Sequence, residues 1–248
     1  MNNTRLTFHT STNFTLPIGA FYILRQDAHY YGYIKNNTEN ISGFLNDLIP
    51  ALSDYQDDLY NNLLKYNNGN ADMAKAVARN IHNVYLRPFT FHDDGVVNIP
   101  FRISKDKYDT FLSIHDDRLA FYDTNFTSYI RTILVEYTSK TFAQREYLYA
   151  FSKLKPLREA ILKNHVCRIY HHNERSTFIP VSVETSPIYD HNFIVGITSE
   201  LQPIAIRLCD FQKITVLEER ITVTQEMCDL IEEYLHKIYS EEHKECLG

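Results

Sequence analysis

Arg168, Tyr170, His171, His172 and Arg175 stand within one short stretch. Cations interleaved with flat rings are what a surface needs to hold unpaired bases and their phosphates. A guanidinium grips a phosphate or carboxylate through two parallel N–H bonds. A base stacked on an aromatic side chain gains roughly 1–3 kcal/mol. Arg207 is a second candidate of the same kind: Ile204, Ile206 and Leu208 take one face of a strand and leave Arg207 on the other with Ala205. Tyr189, His191 and Phe193 extend the aromatic set. The bland alternative is a set of solvated arginines and exposed histidines beside buried rings.

Other chemistries find little support. His171 and His172 are adjacent, so on a strand they point to opposite faces, and no third ligand stands at a metal-binding spacing. No metal or cofactor is expected. No glycine-rich phosphate loop and no nucleophile turn is present. Asp93-Asp94, Asp116-Asp117 and Glu218-Glu219 read as turn residues, so a non-enzymatic protein is expected. Cys167, Cys209, Cys228 and Cys246 form no CxxC pair and read as reduced structural thiols.

Residues 165–223 must position these groups. Apolar runs recur there, separated by polar or proline-bearing turns at His171–Glu174, Glu184–Pro187, Ser199–Pro203 and Glu218-Glu219. Such spacing predicts a small antiparallel barrel or sandwich. Three of the runs resemble the WYL domain, an Sm/SH3-like β-barrel. Phe178-Ile179-Pro180 matches that family's strand ending in proline. Asn192-Phe193-Ile194-Val195-Gly196 stands in the place of its Trp-Tyr-Leu-Val-Gly, and Ile206-Arg207-Leu208-Cys209-Asp210-Phe211 in the place of its Phe-Arg-Leu-Asp-Arg-Ile. The resemblance implies a ligand- or nucleic-acid-sensing barrel and favours Arg207 as the group that touches the ligand.

Residues 1–58 and 97–140 read as two copies of one plan, the first region with its linking helices running over 1–96. Val97–Ile103 alternates as a strand, Ser104 is placed to cap a helix through His115, and a loop follows to Thr124. Asn125 then caps a helix with Phe126, Tyr129, Ile130, Ile133, Leu134 and Tyr137 on one face. In the first copy Asn13–Ile18 supplies the strand and Asn40–Ile49 the second helix. Aligning Leu16-Pro17 with Ile99-Pro100 shifts the strands by 83, whereas the helices shift by 85. Strand, helix, loop and capped helix carrying Ser128-Tyr129-Ile130-Arg131 resembles the ribbon-helix-helix fold, and two copies suit an intrachain pseudo-dimer. That fold's DNA-reading strand would present Asn98 and Arg102, with Asn13, Thr15, Pro17 and Pro100, a weak reader for sequence-specific DNA. Residues 59–87 read as two helices broken at Asn67-Asn68-Gly69 and stopped by Pro88.

Residues 141–164 read as a helical rod, with Pro156 near a helix start, and 224–248 as an amphipathic helix capped by Thr224. That last helix packs on its own domain or on a second subunit. Net charge is −6, but Gln225–Gly248 carries seven carboxylates against two lysines, so the rest of the chain is nearly neutral. No apolar run has membrane-spanning length and no secretory leader is evident, so a cytoplasmic protein without membrane contact is expected.

The expectation is an α+β protein: a helical, tandem ribbon-helix-helix-like N-terminal region, a small Sm/SH3-like β-barrel of WYL type, and a C-terminal helix. The pairing resembles the accessory proteins of type VI-D CRISPR loci. That resemblance implies a regulator that binds single-stranded RNA, or another phosphate-bearing ligand, and stimulates an RNA-guided RNA nuclease; a homodimer is expected beside it. Two alternatives are a duplex-DNA-binding transcriptional regulator with an effector-sensing barrel, and a dimeric interaction module.

Overall fold

The computed structural model describes residues 11–86, 95–171, 174–188 and 190–246. The chain divides into two units, Met1–Lys140 and Thr141–Gly248. No helix among the described residues is long and apolar enough to cross a membrane.

In the first unit the elements run β1 (Ser11–Pro17), α1 (Ile18–Tyr30), a short hairpin of β2 (Ile34–Lys35) and β3 (Thr38–Glu39), α2 (Ile41–Tyr66), α3 (Ala71–Leu86) and β4 (Val96–Arg102). A 3-10 turn at Lys105–Lys107, α4 (Tyr108–Tyr122) and α5 (Phe126–Thr138) complete it. β1 and β4 pair antiparallel, with Phe14 opposite Ile99. Alternation sends Phe14, Leu16, Ile99 and Phe101 into the core and leaves Asn13, Thr15, Asn98, Pro100 and Arg102 exposed. The two halves cross: β1 rests on α5 of the second half, and β4 on α2 of the first. Neither strand buries its apolar face without the other half.

Three expectations need correction. The strands correspond at an offset of 85, as the second helices do, since Phe14 and Leu16 match Ile99 and Phe101 as inward residues. Aligning the two prolines misled, because Pro17 closes its strand while Pro100 sits mid-strand on the outer face. Secondly, α2 does not end near Ile49. It continues through Pro50, because Leu48, Ile49, Ala51 and Leu52 on either side are all buried and their packing outweighs one missing N–H. Thirdly, α4 continues through the expected loop to Tyr122 and stops where Asp123 turns left-handed at φ 51°. Arg118 holds this extra stretch to α2 through Asp57 and Ser53. Ser104 makes no side-chain cap bond; its N–H goes to Asn46 Oδ1 at 2.9 Å. The expected cap at Asn125 accepts from Ser128 N, and Asn40, its equivalent in the first half, accepts from Gly43 N. Pro88 lies outside the described residues.

Polar contacts tie the helices of this unit at depth. Tyr129 donates to Gln56 Oε1 at 2.8 Å, and Tyr137 to Asp27 Oδ2 at 2.7 Å. Asp27 is 1% exposed, so its carboxylate relies on protein donors. Tyr137→Phe removes one of them at little change of shape. The expected cost is about 2 kcal/mol, read as a lowered urea midpoint with unchanged slope. An unchanged midpoint would show that the bond contributes nothing net.

In the second unit α6 (Phe142–Ala150) and α7 (Lys155–Lys163) precede β5 (His165–His171), β6 (Glu174–Thr185), β7 (Asn192–Ile197), β8 (Pro203–Arg207), β9 (Phe211–Arg220) and α8 (Gln225–Cys246). The helices of 141–164 are not a free rod. α7 packs on β5, β6 and β9. Asn192 N and Nδ2 both donate to the buried Glu146 Oε2, at 2.7 and 2.9 Å, fastening α6 to β7.

The strands form one antiparallel sheet in the order β8-β7-β6-β5-β9, so the last strand lies beside the first. The expected closed barrel is not formed among the described residues, because no ladder joins β8 to β9. A 3-10 turn at Leu208–Asp210 carries the chain between those two edges instead. β6 pairs with β5 through its first half and with β7 through its second, with a register shift between Pro180 and Ser182. Gly196 permits the close approach there: a Cβ would lie 2.3 Å from the Ile179 carbonyl oxygen. Both faces of the sheet are apolar. Cys167, Ile169, Phe178, Ile194 and Ile206 pack under α6 and α7, and Val166, Ile179, Val195 and Ile197 pack with Ile231 of α8.

Candidate nucleic-acid interface

The two-residue alternation of the sheet decides which side chains share a surface. Val166, Ile179 and Leu217 lie on the α8 side. Counting by twos puts Arg168 and Tyr170 of β5, Thr177 and Arg175 of β6, and Thr215 and Lys213 of β9 on that same side. The register lines them up. Tyr170 lies opposite Arg175 on one neighbour and Lys213 on the other; Arg168 lies opposite Thr177 and Thr215. Adjacent strands are about 4.8 Å apart. The first row is therefore cation, ring, cation across three strands, with a further guanidinium one row along. Arg175 and Lys213 are exposed, and Arg168 and Tyr170 half-buried. Neither row contains a carboxylate.

α8 leaves this end of the face open because it packs on β7 and β8. Its buried anchor is Ile231, with Met227, Leu230, Leu235 and Tyr239 partly covered, so the helix rests on its own unit. Its N-cap is Thr224, whose hydroxyl accepts from Met227 N at 3.3 Å. The Arg168 Nε is buried with no hydrogen-bond partner among the described residues. A buried guanidinium N–H without an acceptor favours an anion brought to it.

The other expected residues are placed differently. Phe193 is 6% exposed and lies in the core beneath α8, so it offers no stacking surface. Arg207 stands on the opposite edge strand, in the row Arg207–Phe193–Glu184. Glu184 is seven positions further along β6 than Thr177, so the register does not bring Arg207 beside Arg168. His171 ends β5, paired with Glu174 and Phe211. His172 and Tyr189 lie outside the described residues. Asn98 and Arg102 are exposed on the outer face of the β1–β4 ribbon. Sequence reasoning missed Lys213. Its alternation with Ile214 was readable, but the pairing of β9 with β5 was not.

Among the described residues no group of three or more His, Cys, Asp or Glu is placed to hold a metal. Burial pushes the Cys167 thiol up to about 11, which leaves it protonated and unreactive at neutral pH.

No family model matches this chain, and no curated protein matches it. A crystal structure of a CRISPR Cas-related protein matches it with a TM-score of 0.62 at 14% identity, over 91% of this chain and 67% of that one. The two share a fold. At that identity the likeness is one of architecture alone.

Proposed function

We propose that this is a non-enzymatic, CRISPR-associated regulatory protein that captures single-stranded RNA on the open end of its C-terminal sheet. The observation that carries the reading is the row Lys213–Tyr170–Arg175 with Arg168 behind it. A ring between two cations suits a stacked base with phosphates on both sides, and only a strand without a partner can turn its bases onto a sheet face. The fold shared with a CRISPR Cas-related protein supports the setting. In it, the second unit serves as a WYL-like module, the first as a tandem ribbon-helix-helix body, and the complex stimulates an RNA-guided RNA nuclease.

Fluorescence anisotropy with a labelled single-stranded RNA and a duplex DNA of the same sequence tests this. The RNA is expected to bind more tightly, and Tyr170→Ala to weaken it about tenfold, within the range for one stacked base. Equal binding of the duplex, or no effect at Tyr170, overturns the reading.

A second reading, duplex DNA on the β1–β4 ribbon, has the clean outward alternation of Asn13, Thr15, Asn98, Pro100 and Arg102 in its favour. In that case the duplex binds more tightly and Arg102→Ala removes the preference.

A further inference from the structure

The first unit contains a cleft of about 870 Å³ between the β2–β3 hairpin, the first turn of α2 and the segment that leaves β4. Its charged lining is Lys35, Arg102 and Lys105, with no carboxylate among the lining residues. Lys35 and Lys105 are exposed and form no ion pair among the described residues. The neighbouring acid, Asp47, is engaged by Lys107 at 2.7 Å.

The wall is built before any ligand arrives. Asn46 Nδ2 donates to Ser42 O at 2.7 Å and to Arg102 O at 2.9 Å, while its Oδ1 accepts from Ser104 N. Ser42 Oγ accepts from Arg102 N at 3.2 Å. These bonds fix residues 102–104 against α2, so Arg102 and Lys105 leave from a held backbone. Gly43 keeps the floor bare. A Cβ there would stand 2.4 Å from Asn40 Nδ2, displacing the side chain that caps α2. The Gly43 N–H, the third of the helix, is thus already used by Asn40, and the charge in the cleft comes from the three side chains.

The geometry points to a nucleotide-phosphate site in this cleft, separate from the RNA face. Three cations around one opening suit a phosphate monoester, which carries a charge of about −1.5 to −2 at neutral pH. The volume lies in the range of small-molecule sites, about 300–1,000 Å³, and exceeds what a bare phosphate fills. The hairpin bearing Lys35 has no counterpart in the second half, where only residues 123–125 join α4 to α5. The site is therefore single in the tandem unit. A free mononucleotide and the 5′-phosphorylated end of a strand present the same group.

Isothermal titration of the full chain at low salt with AMP, adenosine and inorganic phosphate tests it. AMP is expected to bind, with adenosine at least tenfold weaker, and Lys35→Ala and Lys105→Ala each to weaken AMP roughly five- to tenfold, as removal of one charge-assisted hydrogen bond does. Arg175→Ala, on the other unit, leaves AMP binding unchanged. Absence of AMP binding, equal binding of adenosine, or an equal weakening by Arg175→Ala overturns the site. A 5′-phosphorylated RNA that outcompetes its 5′-hydroxyl form, with the preference abolished in Lys105→Ala, makes the ligand a strand end. AMP binding without that preference makes it a free nucleotide. Since AMP contains no strand, failure of the RNA face leaves this test standing.

Discussion

Replacing Arg175 and Lys213 together by glutamate is expected to lower single-stranded RNA affinity about a hundredfold at low salt. Both side chains are exposed, and they flank Tyr170 on adjacent strands. Reversal therefore removes two attractions and adds two repulsions beside the stacked base without touching the core. The salt response separates this from misfolding. For single strands the logarithm of affinity falls with the logarithm of salt by about 0.7 per phosphate neutralised, so the slope should flatten by that amount for each phosphate no longer held. Circular dichroism should be unchanged. A weaker affinity with an unaltered slope would place the phosphate-binding cations elsewhere.

Acid is expected to destabilise the first unit by about 3 kcal/mol through His82 alone, between its ordinary pKa and its folded one. His82 is 1% exposed, and its ring stacks on Tyr122 at 4.3 Å and Tyr129 at 5.6 Å. Neither ring nitrogen has a hydrogen-bond partner among the described residues. Burial holds the imidazole neutral and depresses its pKa from 6.5 to about 4. In that window the unfolded chain binds a proton and the folded chain does not. Stability from this site is therefore complete above pH 6.5, falls as the pH drops, and levels off near 4. Half-buried Asp57 and Glu136 have raised pKa values and respond in the opposite direction, so the wild type alone does not isolate the effect. His82→Phe keeps a flat ring between the tyrosines and has nothing to protonate. Urea melts at pH 7.5 and pH 4.5 should show wild type losing about 2.5 kcal/mol relative to the variant. Parallel pH dependence in the two proteins would mean that His82 finds an acceptor when folded.

What could be read from the letters was local. The strand alternation at 97–103, the cap at Asn125 and the start of α7 at Pro156 all depend on near neighbours. So does the outward set Asn98 and Arg102. What could not be read depended on distant partners. The cost of Pro50 inside α2 is local, whereas the four buried residues around it, which carry the helix past Ile49, pack against other elements. Residues 116–122 looked like a loop because Asp116-Asp117 is polar, yet Arg118 reaches Asp57 sixty-one positions back. At the candidate interface, Arg168, Tyr170 and Arg175 were legible as neighbours in one hairpin. Lys213 joined them only through the return of β9 to β5, and Phe193 left them because α8 covers it.

The antiparallel union of β1 with β4 has a further consequence. A ribbon made from two separate chains depends on their concentration; here both strands belong to one molecule, so dilution cannot part them. The cost falls on synthesis. Phe14 and Leu16 must wait for about eighty further residues to leave the ribosome before Ile99 and Phe101 can cover them. A nascent chain halted within that interval presents a greasy, half-made edge, which makes the early part of translation the time when this protein is most exposed to clumping.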